Sequence, residues 1–148
     1  MKPLYILVLS AFLPFAVAAQ EAPAVPAFAP LNAAEVTLAE FLWLKRPIVV
    51  FADSAADPAF ITQMEMLAVD PAALELRDVV VVTDTDPAAK SEWRLKLRPR
   101  GFSLVLLDKD GEPELRKPLP WDLREITRAI DKFPLRRQEV LQQQPAGR

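Results

Sequence analysis

Residues 48–60 read Ile-Val-Val-Phe-Ala-Asp-Ser-Ala-Ala-Asp-Pro-Ala-Phe, and this stretch indicates the fold class. Its first five residues form an unbroken apolar run of strand type. Asp57-Pro58 then has the pattern of a helix N-cap followed by proline at the first helical position. Because a buried strand followed directly by a helix is the first half of a β-α-β unit, the sequence predicts an α/β protein.

The four consecutive valines at 79–82 predict the second strand of this unit, central in the sheet and buried on both faces. A right-handed crossover makes the two strands parallel. Asp70-Pro71 and Asp86-Pro87 repeat the Asp-Pro pattern and predict two more helix starts, the second with Ala89, Trp93 and Leu97 on its inner side.

The C-terminal half adds a hairpin and a helix. Residues 102–107 and 114–117 are predicted strands, joined by a turn at Asp108-Lys109-Asp110-Gly111. Apolar residues at helical spacing then predict a helix from about 121 to 133. A capping box at Thr37 and Glu40 predicts a short helix over 38–44, before the first strand. The resulting fold is a three-layer α/β sandwich whose mixed sheet has about four strands, with helices on both faces.

Composition excludes several kinds of chemistry. The 148 residues include no Cys and no His, so neither a thiol nucleophile, a disulfide, an imidazole base nor a Cys/His zinc site is possible. The glycines at 101, 111 and 147 are too far apart for a phosphate-binding glycine loop. The sequence therefore assigns no catalytic residue, no metal ligand and no cofactor.

The N-terminal residues predict an exported protein. Lys2, an apolar run from Leu4 to Val17 and small residues at 16–19 are typical of a signal peptide over 1–19, cleaved after Ala18 or Ala19. The run is shorter than a membrane span, so no stable span is expected after cleavage. An Ala/Pro-rich linker is predicted over 20–35, the domain over 36–141 and a disordered tail over 142–148. The expected location is the periplasm or the extracellular medium.

Residues 100–112, Arg-Gly-Phe-Ser-Leu-Val-Leu-Leu-Asp-Lys-Asp-Gly-Glu, resemble the thioredoxin stretch that runs from Arg-Gly-Ile-Pro-Thr into a strand and a glycine turn. Ser103 stands where thioredoxins have their cis-proline. Aligning the first strands places Ala56-Asp57-Pro58-Ala59 at the Cys-Gly-Pro-Cys position. This resemblance implies a thioredoxin-like fold that lacks both redox sulfurs.

More specifically, the chain resembles the bacterial family called domain of unknown function 4174 over about residues 40–140. The matching features are Arg77-Asp78 before the second strand, the hairpin from Gly101 to Gly111, and residues 130–139, Ile-Asp-Lys-Phe-Pro-Leu-Arg-Arg-Gln-Glu. No activity is attached to the family. Related domains occur in animal extracellular-matrix proteins, which implies binding rather than catalysis.

Charge is distributed unevenly along the chain. Residues 20–89 have 3 basic and 11 acidic side chains, whereas residues 90–148 have 14 basic and 9 acidic ones. This asymmetry gives a candidate anion-binding surface, although the pattern favours the simpler explanation, an exposed helix face kept for solubility. The overall negative charge argues against nucleic acid as a partner. The candidate anion-binding residues are Arg94, Lys96, Arg98, Arg100, Arg136 and Arg137.

Two functional hypotheses remain. In the first, the protein binds a protein, a peptide or an envelope component in the groove beside the former redox site, which Ala56, Asp57, Pro58, Ala59 and Ser103 border. In the second, it is an enzyme that uses carboxylates or a bound metal ion. Its candidate residues Asp53, Asp84 and Asp86 follow the carboxyl ends of parallel strands, where α/β sheets bind ligands. Asp86 is already explained as a helix cap.

Overall fold

The computed structural model describes residue 24 and residues 26–144. The predicted signal peptide, residues 20–23 and 25 of the predicted linker, and residues 145–148 of the predicted tail lie outside the described residues. None of the described helices is long and apolar enough to cross a membrane. The elements are β1 (Leu31–Asn32), β2 (Arg46–Phe51), α1 (Pro58–Ala68), α2 (Pro71–Glu75), β3 (Val79–Asp84), α3 (Glu92–Leu97), β4 (Ser103–Leu107), β5 (Pro113–Lys117), α4 (Leu123–Ile130) and α5 (Pro134–Gln143).

The five strands form one sheet in the order β1-β3-β2-β4-β5. β1, β3 and β2 run parallel, β4 runs antiparallel to β2, and β5 runs antiparallel to β4. This strand order and these directions are those of the thioredoxin-like fold, so the predicted fold class is confirmed. The predicted parallel β-α-β unit and the C-terminal hairpin are both present.

The sheet has one strand more than predicted, because β1 lies inside the segment predicted as a linker. Leu31 and Asn32 pair with Val82 and Thr83 of β3. Ala33, which follows them, is only 4% exposed, and Phe28 packs against the core. The domain therefore begins before residue 36. A strand of two residues between alanines and prolines is too short to show a periodic pattern, so it could not be predicted from the sequence.

The sheet separates two hydrophobic layers. Ile48 and Val50 of β2 point to the layer formed with α1, α2 and α4, whereas Val49 and Phe51 point to the layer formed with α3. Every residue of β2 is buried, and β2 is the central strand. β3 lies between β1 and β2, and Val81 and Val82 are buried on its two faces as predicted. Val79 and Val80 are partly exposed, because β1 pairs only with Val82 and Thr83.

The Asp-Pro prediction is confirmed at all three positions. Asp57, Asp70 and Asp86 each cap a helix, their side chains accepting hydrogen bonds from the backbone N–H of Ala59, Ala73 and Ala88. The segment predicted as a helix over 38–44 is a 3₁₀ helix at Leu38–Glu40.

Two other predicted helices are broken. The helix predicted after Asp86-Pro87 divides at Lys90, which has a left-handed φ of 47°. It forms a 3₁₀ helix at Pro87–Ala89 and then α3. The helix predicted to run to 133 ends at Ile130, and α5 begins at Pro134, because proline favours the first turn of a helix. α5 continues to Gln143, so the predicted disordered tail began too early.

Candidate functional site

The candidate groove residues lie where the parallel strands end. Phe51, the last residue of β2, is paired with Asp84 on one side and with Ser103 on the other. The loop that leads to α1 follows Phe51 directly. The register therefore places the Ala56–Ala59 segment, Asp84 and Ser103 at the same end of the sheet. This is the end at which the parallel strands finish, where α/β proteins bind ligands.

The two positions of the absent thiols hold methyl groups at the start of α1. Ala56 is exposed and donates its backbone N–H to Ser54 Oγ at 3.1 Å. Asp57 Oδ1 accepts the backbone N–H of Ala59 at 2.8 Å, and Pro58 is the first residue of the helix. These side chains form a cap without a nucleophile or a redox group.

Asp84, a candidate of the enzyme hypothesis, is fully engaged with other residues. Its Oδ1 accepts hydrogen bonds from Arg94 Nε at 2.9 Å and from the backbone N–H of Asp86, and its Oδ2 accepts one from the Ser91 hydroxyl. Asp86 caps the helical turn that follows it, and Asp53 is exposed. Among the described residues, no three His, Cys, Asp or Glu side chains are grouped so that they could hold a metal ion. No observation favours the metal-dependent hypothesis.

Arg94, a candidate anion-binding residue, binds the protein itself. Its Nη2 donates to the carbonyl oxygens of Ala52, at 2.7 Å, and Asp84, at 3.1 Å. Its guanidinium group lies 5.4 Å from the centre of the Phe51 ring. Arg94 thus joins the ends of β2 and β3 through its Nε and Nη2 donors.

An open pocket lies beside Ser103 and brings together predictions that the sequence made separately. It contains Ser103 of the candidate groove and Arg98 and Arg100 of the candidate anion-binding surface. Ala56–Ala59 do not line it, and neither does Lys96, which is exposed. We call it the arginine pocket, and its lining residues are Leu97, Arg98, Arg100, Phe102, Ser103, Arg116 and Pro118.

Arg116 is the pocket residue that the sequence analysis missed. It is paired with Val105, so it lies on the α3 side of the sheet, two positions from Ser103 along β4. Its Nη2 donates to the carbonyl oxygen of Leu97 at 2.6 Å, and its Nη1 donates to Ser103 Oγ at 3.4 Å. This placement could have been predicted from the hairpin, because successive side chains of a strand alternate between the two faces of the sheet.

A second polar cluster lies at the opposite end of the sheet, around Arg46 at the start of β2. Arg46 is completely buried and donates from Nε to Asp108 Oδ1, from Nη1 to the Arg77 carbonyl oxygen and from Nη2 to Glu139 Oε1, at 2.9, 3.0 and 2.9 Å. Lys109 Nζ lies 2.8 Å from both Asp78 and Glu139. We call this cluster the basal ion network, and its members are Arg46, Arg77, Asp78, Asp108, Lys109, Asp131, Arg136 and Glu139.

The charges in this network support one another. Burial disfavours the charged form of Lys109, but hydrogen bonds with Asp78 and Glu139 outweigh that effect, so the pKa of Lys109 is raised. Burial likewise raises the pKa of Glu139, but hydrogen bonds from Arg46 and Lys109 outweigh it, so this pKa is lowered. Both shifts favour the ionised pair at neutral pH.

Arg136 and Arg137, the other predicted anion-binding residues, lie at this basal end, far from the arginine pocket. Arg136 Nε is 3.6 Å from Asp131 Oδ1, and its Nη1 is 3.6 Å from Glu139 Oε2. Its side chain is only 10% exposed, whereas Arg137 is exposed on α5. The predicted anion-binding residues therefore form no continuous surface. Arg136 and Arg137 are separated from the other four by the length of a six-residue strand, about 17 Å.

The basal ion network also explains the sequence features that mark the family resemblance. Arg77-Asp78, Lys109 and residues 131–139 are distant in sequence, yet their charged side chains meet there. Arg46, which holds Glu139 and Asp108, was not identified from the sequence. The features therefore have a structural explanation that requires no ligand.

We expect acid to remove the stabilisation that Asp131 provides. Hydrogen bonds from Arg77 hold the pKa of Asp131 below its ordinary value of 3.8. Since the unfolded chain binds this proton more tightly, the contribution is complete above the ordinary pKa and is lost as the pH falls through the lowered one. Urea unfolding of the wild type and of Asp131→Asn should differ at neutral pH and converge near about pH 2. An equal difference at both pH values would contradict this assignment.

Comparison with known proteins adds a family and two solved structures. The family model described as Domain of unknown function (DUF4174) matches residues 37–139. Desulfothioredoxin from Desulfovibrio vulgaris Hildenborough, in its reduced form, is 19% identical with a TM-score of 0.46, over 70% of this chain and 96% of that one. Plasmodium yoelii Prx1a, which forms an artifactual octamer when modified at the N-terminus, is 15% identical with a TM-score of 0.46, over 76% and 84%. No curated protein matches the chain.

Proposed function

Since the chain belongs to the DUF4174 family and has a thioredoxin-like fold without cysteine, we propose that it is a redox-inactive binding module that holds extended polypeptide segments in the bacterial periplasm. The observation that supports this proposal most directly is the open arginine pocket, which lies at the end of the sheet where α/β proteins bind ligands. At the same end, alanines occupy the two positions where thioredoxins have their redox cysteines. A pocket of this kind needs no thiol in order to bind.

The location is part of the proposal and rests on the N-terminal sequence. Lys2, the apolar run and the small residues at 16–19 are typical of a cleaved signal peptide. We expect the mature chain to begin at Ala19 or Gln20. The intact mass of protein purified from a periplasmic fraction tests this, and a mass that still includes Met1 would refute export with cleavage.

Position-specific photo-crosslinking tests the binding role. A benzophenone-bearing residue is placed at Leu119, which is 70% exposed and next to Pro118 of the arginine pocket. The matched control is the same residue at Leu141, which is 67% exposed at the basal end of the molecule. The target is a permanently unfolded polypeptide whose cysteines are blocked.

We expect a covalent adduct from position 119 and at least a ten-fold lower yield from position 141. Equal yields would mean that contact is nonspecific, and no adduct from either position would refute polypeptide binding. Circular dichroism melts of both labelled proteins check that the fold is intact.

A further inference from the structure

We propose, resting on the polypeptide-binding role above, that the arginine pocket selects acidic segments by binding an Asp or Glu carboxylate of an extended peptide. The first argument is charge balance. Arg98, Arg100 and Arg116 all line the pocket, and none of the ion pairs among the described residues includes any of them. The pocket therefore concentrates positive charge that the described part of the protein does not neutralise.

The contrast with other arginines of the same chain makes this imbalance significant. Arg46, Arg77 and Arg94 each lie within 2.9 Å of a carboxylate oxygen. These three arginines, which join separate parts of the fold, are thus each paired with an acid. The planar guanidinium group binds a carboxylate through two parallel hydrogen bonds, so unpaired arginines at one pocket favour a carboxylate ligand.

Ser103 adds a neutral donor at the buried side of the pocket. The residue is 4% exposed, and its Oγ accepts a hydrogen bond from Arg116 Nη1. The hydroxyl proton has no acceptor among the described residues, so it remains available for a ligand oxygen. A hydroxyl donor beside guanidinium groups gives the pocket the donors that a carboxylate accepts.

The backbone brings Arg98 and Arg100 to the same side. Arg98 caps the end of α3 in the left-handed region, with a φ of 47°, and Gly101 is left-handed too, with a φ of 58°. These two left-handed residues turn the chain between α3 and β4, where Arg98 and Arg100 both line the pocket.

The position of the pocket favours an extended peptide as the source of the carboxylate. Arg116 belongs to β5, which pairs only with β4 among the described strands and is therefore an edge strand of the described sheet. An extended segment that adds to this edge would place alternate side chains on the α3 side, beside Arg116. Leu97, Phe102 and Pro118 offer apolar contacts to the residues between the acidic ones.

Isothermal titration with two short peptides tests this inference. Both are acetylated and amidated, so that they have no terminal charge, and they alternate Thr or Val with Glu in one and with Gln in the other. The pocket variant is Arg98→Gln/Arg100→Gln. The matched control is Lys96→Gln/Arg137→Gln, which also removes two exposed positive charges but lies outside the pocket.

We expect the Glu peptide to bind the wild type at least ten-fold more tightly than the Gln peptide. The pocket variant should lose at least ten-fold in affinity for the Glu peptide, and the control variant less than two-fold. Equal affinity for the two peptides would overturn acid selection while leaving polypeptide binding in place. Equal losses in both variants would overturn the arginine pocket as the site.

Inorganic phosphate is titrated separately. If phosphate binds more tightly than the Glu peptide, the pocket recognises a free anion, and the peptide part of the inference fails. If neither peptide binds and the photo-crosslink at position 119 is also absent, the proposed function itself fails. The two failures are therefore distinguishable.

Discussion

Asp108→Ala should lower the free energy of unfolding by about 3–5 kcal/mol, because it leaves Arg46 buried without its main counter-charge. Asp108 is 1% exposed and Arg46 is completely buried. The same carboxylate also accepts the backbone N–H groups of Lys109, at 2.9 Å, and of Leu135, at 3.3 Å. The substitution therefore leaves several buried donors without an acceptor.

Urea unfolding followed by circular dichroism measures this effect. The matched control is Asp110→Ala in the same hairpin turn, where the carboxylate accepts only the exposed backbone N–H of Glu112, so the expected loss is about 1 kcal/mol or less. The double variant Arg46→Met/Asp108→Ala should recover part of the loss, because it also removes the buried positive charge. If Asp108→Ala and Asp110→Ala lower stability equally, Asp108 does not compensate the buried charge of Arg46.

Trp93→Ala should cost about 3–5 kcal/mol as well, for a different reason. The indole ring of Trp93 is 1% exposed in the α3 layer, and its centre lies 6.2 Å from that of the Phe41 ring. Its Nε1–H donates to the carbonyl oxygen of Val36 at 2.9 Å, which attaches the segment before β2 to α3. Truncation opens a large cavity and leaves that carbonyl without its partner.

Two further substitutions separate these contributions. Trp93→Phe keeps most of the ring but removes the donor, so it should cost about 1–3 kcal/mol. Leu95→Ala on the same helix should change stability by no more than about 0.5 kcal/mol, because Leu95 is 64% exposed. If Trp93→Ala and Leu95→Ala cost the same, α3 does not pack as described.

Local signals predicted the parts of the fold that depend on neighbouring residues. An Asp-Pro pair specifies its own helix start, and all three pairs do so here. The hairpin turn at Asp108–Gly111 is equally local. In contrast, β1 is specified by its pairing with β3, about fifty residues away, so the alanine-rich segment around it resembled a linker.

The buried polar interactions that sequence reasoning missed include several between residues distant along the chain. Arg46 and Asp108 are 62 residues apart, so nothing in the sequence around either one identifies the pair. Gln63 is completely buried on α1, and its amide group exchanges two hydrogen bonds with the backbone of Trp121, 58 residues away. Ser103, Arg98 and Arg100 were each identified, but only the strand register brings them into one pocket with Arg116.

The basal ion network and the arginine pocket lie at opposite ends of β2, so the two can be altered separately. Substitutions around residues 53–56 and 98–102 touch none of the network's ion pairs. A laboratory library diversified at residues 53–56 and 98–100 should therefore retain a high proportion of folded members.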